Sequence, residues 1–140
     1  MNLKTNKSGF TLLEIIIVII IVGVLASLAL PRFFSTVEYS RSTEALASIT
    51  AVRQAMERCY LQRNGSYANC NAFTALDLQD PATSPNAHFT YGISGTSATG
   101  YTLTATRNTL DGGDGSSTIV LTQVTTAVSR SGTGVFAGIQ

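Results

Sequence analysis

Apolar and polar positions follow three different rules along this chain. From Phe10 to Leu30 the sequence reads FTLLEIIIVIIIVGVLASLAL, with only Thr11, Glu14, Gly23 and Ser27 interrupting the apolar run. A surface helix would carry a polar stripe, and this stretch has none. Its 21 residues make a helix of roughly 30 Å, the thickness of a bilayer core. Lipid offers the backbone no hydrogen-bond partners, so a spanning segment here must be helical. The pattern predicts a membrane-spanning helix over residues 10–31.

From Arg32 to Gln62 the chain has no Gly or Pro, and the apolar positions become periodic. Ala45, Ile49, Val52, Met56 and Cys59 recur at spacings of four, three, four and three, and Leu46 widens the stripe. That is one face of a helix. Asn64-Gly65 supplies the stop. A single helix from Phe10 to Gln62 would be roughly 80 Å long. Its first half is expected to pack against other copies and its second against its own domain. Residues 63–87 read as a loop broken by Pro81 and Pro85, with room for a short helical turn at 72–78.

Beyond residue 87 the period falls to two. Phe89, Tyr91 and Ile93 form one alternating set, Tyr101, Leu103 and Ala105 a second, and Ile119, Leu121 and Gln123 a third. These predict three strands, with turns over 92–100 and 108–117. A fourth is expected around Gly134–Ile139. The fold class that follows is α+β: a long N-terminal helix packed on a small antiparallel sheet of three to four strands. The domain division is 1–9, 10–31 and 32–140. The last part comprises the amphipathic helix half 32–62, the loop 63–87 and the sheet region 88–140.

Composition narrows the function. Charged residues are 12% and the net charge is +1, against roughly 25% charged in soluble domains. That excludes a charge-rich disordered chain and a strongly basic nucleic-acid binder. No specific nucleic acid is evident as a partner. Lys4 and Lys7 are the only lysines, and both precede Gly9. Positive charge before the apolar segment keeps the N-terminus cytoplasmic. A cleaved secretory leader with a mature start near Leu30 is the competing reading. Glu14 argues against it, because a carboxylate in a hydrophobic span costs up to about 2.5–3.5 kcal/mol at mid-membrane. A disposable leader has no use for that cost. A cut between Gly9 and Phe10 would place a free α-amine four residues before Glu14. Two staggered chains could then pair amine with carboxylate and fix register.

The run Lys7-Ser8-Gly9-Phe10-Thr11-Leu12-Leu13-Glu14 and the apolar stretch behind it closely resemble the class III signal of type IV pilins and type II secretion pseudopilins. The resemblance is to a type IVa-like pilin. It implies a short basic leader removed by a prepilin peptidase after Gly9, with N-methylation of Phe10. It assigns Glu14, Phe10 and Thr11 to assembly, with Glu14 neutralising the Phe10 amine of a neighbouring subunit. It places Gly23 and Pro31 where the helix can loosen in a filament. Elementary chemistry agrees, since Gly is a poor helix residue and Pro31 has no N–H to offer the carbonyl of Ser27. The implied partners are further copies in a helical filament, the prepilin peptidase, and the assembly platform with its ATPase. The implied location is the bacterial inner membrane, globular domain in the periplasm, and then an extracellular pilus. Adhesion, twitching motility and DNA uptake are the roles the family implies. A pseudopilin or a minor pilin is the alternative.

Cys59 and Cys70 are an even pair in a segment expected to be exported, and a disulfide follows; two buried free thiols are the alternative. Asp111 and Asp114 in Asp111-Gly112-Gly113-Asp114-Gly115-Ser116 are a calcium candidate through oxygen ligands. The EF-hand pattern fails, because Thr122 stands where its last Glu would be, and a β-turn loop is the plainer reading. Asn64-Gly65-Ser66 fits a glycosylation site and equally a turn. The aromatics Phe33, Phe34, Tyr39 and Tyr60 read as packing between subunits. His88 is the only histidine, so no multi-histidine metal site exists. No cofactor is expected, and the chain is not expected to be an enzyme.

Overall fold

A computed structural model describes residues 9–140 of the chain. Most of the expected leader, including Lys4, Lys7 and Ser8, lies outside the described residues. Two compact units divide between Thr36 and Val37. One α-helix, α1 (Leu12–Gln62), passes through that division.

In the first unit the structure is the N-terminal part of α1. Its side chains from Leu12 to Leu30 are exposed throughout. The segment is long and apolar enough to cross a membrane, with a mean hydropathy of 3.0 over its best window. Pro31 sits inside the helix without ending it. Local side chains take up carbonyls nearby: Ser27 Oγ donates to Val24 O at 2.7 Å, and Ser35 and Thr36 both donate to Arg32 O.

In the second unit the rest of α1 lies on a four-stranded antiparallel meander. The strands are β1 (Phe89–Ser94), β2 (Gly100–Arg107), β3 (Thr118–Val124) and β4 (Ala127–Gly132), in that spatial order. Every member of the periodic stripe, from Ala45 through Ile49, Val52 and Met56 to Cys59, is buried. Opposite it the sheet alternates as expected. Tyr101, Leu103 and Ala105 of β2 point inward, while Thr102, Thr104 and Thr106 are half-exposed. On β3, Ile119, Leu121 and Gln123 are inside. The register sets Leu103 against Leu121 and Tyr101 against Gln123.

The helix stops where Asn64-Gly65 predicts. Asn64 and Gly65 both take positive φ, at 56° and 79°, and Gly65 N–H returns to Tyr60 O at 2.9 Å. This closes the end with left-handed residues, as helix C-termini commonly do. The loop that follows carries a 3-10 turn at Phe73–Leu76, inside the stretch where a helical turn is expected.

One strand is misplaced by the sequence reading. The fourth strand is Ala127–Gly132, and Gly134–Phe136 is instead a 3-10 turn. Phe136 and Ile139 reach the core from that turn and the residues after it. β4 itself has little apolar alternation, and its outer edge is exposed. Its place comes from backbone pairing to β3, Val124 against Ala127 through Ile119 against Gly132.

Candidate functional site

The N-terminal site is built around Thr11 and Glu14. Glu14 N–H donates to Thr11 Oγ1 at 3.3 Å, and Glu14 Oε2 accepts from Thr11 N–H and Thr11 Oγ1, both at 2.9 Å. This is a capping box, in which the first orphan donors of the helix are satisfied reciprocally. The signal was in the sequence as Thr-x-x-Glu ahead of an apolar run, and reading Glu14 only as a lone membrane charge missed it. Both Thr11 bonds use Oε2. Among the described residues, Oε1 takes no hydrogen bond. Phe10 precedes the helix and is 83% exposed. Gly9, also exposed, lies outside any element. The cut expected between Gly9 and Phe10 therefore falls in accessible chain and spares both partners of the capping box. Gly23 lies within α1, with nothing within 4 Å of where a Cβ would stand.

In the second unit Cys59 and Cys70 are joined by a disulfide, with Cα atoms 6.2 Å apart. It ties the loop after the helix to the helix's last turns. The nearby Tyr67 hydroxyl donates to the Glu57 carboxylate, with both oxygens at 3.1 Å.

The two aspartates of the 111–116 loop do separate jobs. Asp111 Oδ2 is 2.9 Å from His88 Nε2 and 3.6 Å from Arg41 Nη2. Asp114 Oδ1 accepts from the N–H groups of Ser116 and Ser117, and its other oxygen meets Ser117 Oγ. These Ser117 and Ser116 bonds hold the Asp114 carboxyl down to about 2. Among the described residues no group of three or more His, Cys, Asp or Glu is placed to hold a metal.

What the sequence reading missed is a polar network beneath that loop. Arg107 is fully buried. Its Nε and Nη2 donate to Glu38 Oε2 and Oε1 at 2.9 and 3.1 Å, and its remaining donors reach the carbonyls of His88, Asn108 and Leu110. The guanidinium also lies 5.9 Å from the Phe89 ring centre. His88 bridges two carboxylates, with Nδ1 2.7 Å from Glu44 Oε2 and Nε2 2.9 Å from Asp111 Oδ2. Period two did hold the signal, since Tyr101, Leu103 and Ala105 lead to Arg107 on the inner face. The helical stripe likewise runs back from Ala45 through Ser42 to Glu38 at spacings of three and four.

The comparisons with known proteins agree on one family. A model described as "Prokaryotic N-terminal methylation motif" matches residues 4–30, which contain the whole capping box. A second, described as "Type IV minor pilin ComP, DNA uptake sequence receptor", matches residues 31–118, more than half of the chain. The chain belongs to this family of type IV pilins. Its similarity extends to type II secretion system core protein G. The Aeromonas hydrophila protein is 39% identical over 61 residues, 44% of this chain and 43% of that one. The Escherichia coli K12 protein is 34% identical over 87 residues, covering 62% and 59%. The type IV major fimbrial protein FimA of Dichelobacter nodosus is 29% identical over 96 residues, covering 69% and 58%. The chain spans about half the length of these relatives. Pilins and pseudopilins are structural subunits rather than enzymes, and this pilin-family chain combines an apolar helix with an α+β domain closed by a disulfide.

Proposed function

We propose that the chain is a structural subunit of a type IV pilus, polymerising through the apolar part of α1 after cleavage between Gly9 and Phe10. The observation that carries this reading is the methylation-motif match running into an apolar helix with no polar face. Such a surface needs either lipid or copies of itself around it. Moving it from a bilayer into a bundle of identical helices is nearly neutral in hydrophobic terms, because lipid tails are as apolar as leucine. Assembly and retraction by an ATP-driven machine then meet no large hydrophobic barrier.

Register comes from Glu14. Thr11 holds the carboxylate by Oε2, and Oε1 receives the methylated Phe10 amine of a neighbouring subunit. Gly23 and Pro31 give the helix places to loosen as subunits pack. Before assembly the protein is anchored in the inner membrane with residues 37–140 in the periplasm. The filament then serves adhesion, twitching motility or DNA uptake.

The similarity to secretion protein G supports a second reading, a pseudopilin in a short periplasmic filament, and the family match 31–118 a third, a minor pilin. DNA reception is named for the matched family. Here residues 37–140 carry six Arg against seven acids, so any contact with DNA relies on local arginines rather than on net charge.

Intact-mass measurement of the mature protein tests the processing step. A methylated Phe10 start is expected, and a start near Leu30 would overturn the reading. Glu14→Ala should still insert and be processed yet yield few filaments by electron microscopy. Normal filament yield would remove Glu14 from assembly. Loss of secretion without surface filaments on deleting the protein would favour the pseudopilin.

A further inference from the structure

A cleft of about 410 Å³ opens between the last turns of α1 and the β3–β4 end of the sheet. Arg53, Glu57 and Tyr60 line it from the helix, Tyr67 from the following loop, and Gln123 and Thr125 from the sheet side. At its floor one buried side chain leaves a polar atom unpartnered. Gln123 is 6% exposed and its Oε1 has no hydrogen-bond partner, while its Nε2 donates to Thr125 O at 2.9 Å. Buried polar groups in native proteins are nearly always bonded, and each unmade bond costs about 1–3 kcal/mol. Such an atom, under a cleft rather than inside the core, marks a place built for a ligand.

The chemistry of the walls selects the ligand class. Arg53 and Glu57 stand four residues apart on one helix face, so the cleft carries one charge of each sign. It offers no excess for a polyanion. Donors and acceptors are interleaved: the guanidinium donates, the carboxylate and Gln123 Oε1 accept, and Thr125 can do either. Tyr60 and Tyr67 pack together with ring centres 4.5 Å apart and give the cleft an aromatic side. The volume lies within the roughly 300–1,000 Å³ range of small-molecule sites.

We propose that this cleft binds a neutral saccharide, whose hydroxyls satisfy Gln123 Oε1 while its C–H face meets Tyr60 and Tyr67. A sugar ring supplies closely spaced groups that both donate and accept, together with an apolar face, and needs no net charge. The site is separate from the apolar helix, so it stands or falls independently of filament assembly.

The test is an NMR titration of the ¹⁵N-labelled full chain, held in a detergent with no sugar headgroup. The probes are cellobiose and its N-acetylated counterpart, chitobiose. Saturable shifts are expected at the Gln123 side-chain amide and at Thr125 and Thr126, with β1 unmoved. Arg53→Ala, at an exposed helix position, should fold and weaken binding about tenfold or more, the worth of a charge-assisted hydrogen bond. Gln123→Ala should do the same. If neither disaccharide gives saturable shifts, the proposal fails. It also fails if the shifts survive Arg53→Ala unchanged, or if a short DNA duplex displaces the sugar with a steep salt dependence.

Discussion

Arg107 and Glu38, 69 positions apart, meet as a two-pronged ion pair with N–O distances of 2.9 and 3.1 Å. The arginine is fully buried and the Glu38 side chain is 17% exposed. The pair joins the end of β2 to α1, and the remaining guanidinium donors tie in the backbone on either side of the 108–113 loop. Taking two charges out of water is expensive, so such a pair adds little net stability over an apolar substitute. Breaking half of it is another matter.

Glu38→Ala leaves a guanidinium in the core without its carboxylate. The expected cost is about 3 kcal/mol or more in chemical denaturation of the full chain. Arg107→Ala should cost a similar amount, because it takes the buried partner from Glu38, leaves the Asn108 carbonyl without its donor and opens a cavity. Replacing both together, Glu38→Leu with Arg107→Met, should recover much of the loss. A double variant as unstable as the sum of the singles would show that the pair is not the unit described here.

The same cluster makes stability depend on pH from two sides. His88 is raised above its ordinary 6.5, first by its bond to Asp111 and then by Glu44, with burial and Arg41 opposing. A base held more tightly in the folded state stabilises fully below the unfolded value and ceases to do so as pH rises through the folded one. Melting temperature should therefore fall from about neutrality upward by the part His88 contributes. The carboxylates act with the opposite sign. Arg107 holds Glu38 below 4.5, and the His88 bond lowers Asp111. Their contribution is present above the unfolded carboxylate range and is lost as pH falls through the lowered values. His88 is the only histidine, so its ring resonance titrates without overlap. A midpoint above 6.5, moved downward by Asp111→Asn, is expected. A midpoint at or below 6.5 would contradict the double bridge.

The disulfide lends itself to a third measurement. Cys59 and Cys70 are 11 positions apart, and the chain-entropy model gives about 3 kcal/mol for closing a loop of that size. Cys59→Ala with Cys70→Ala should lower unfolding stability by about that much, with the Tyr67 loop losing hydrogen-exchange protection before the strands do. Both cysteines are buried. Reduction of the native protein should accordingly be slow and track local opening. Rapid reduction without denaturant would count against that burial.

Much of this architecture was legible from pattern alone, for reasons that also explain the failures. Ala45 to Cys59 declared themselves because a helix buries one face at a fixed period. β1 to β3 did so because a half-buried strand alternates. β4 was misplaced because an exposed edge strand needs no alternation. Its entry turn, moreover, uses Thr125 at φ 52°, a conformation that β-branched residues rarely adopt. The N-terminal methylation motif was readable in the sequence, and Glu14 as a charge out of place, but its bond to Thr11 lay hidden behind that same oddity. Arg107, Glu38 and His88 belong to segments far apart in the chain. Period put two of them on inward faces, and only the fold brings all three together.

Gly113 tests how tightly that cluster is packed. A Cβ there would run into the carbonyl oxygen of Asn108 and into the Arg107 guanidinium. Neither can move cheaply, since the guanidinium is pinned by Glu38 and the backbone carbonyl accepts from Arg107 itself. Gly→Ala at an unstrained site usually stabilises by about 0.4–1 kcal/mol through the unfolded chain. Here overpacking should reverse the sign and destabilise by about 1–3 kcal/mol. Because the nearest obstacle, the Asn108 carbonyl oxygen, stays when Arg107 is removed, Gly113→Ala should lose only part of its cost in an Arg107→Ala background. Equal costs in both backgrounds would mean that the Asn108 carbonyl carries the whole penalty and that the guanidinium yields to the new methyl group.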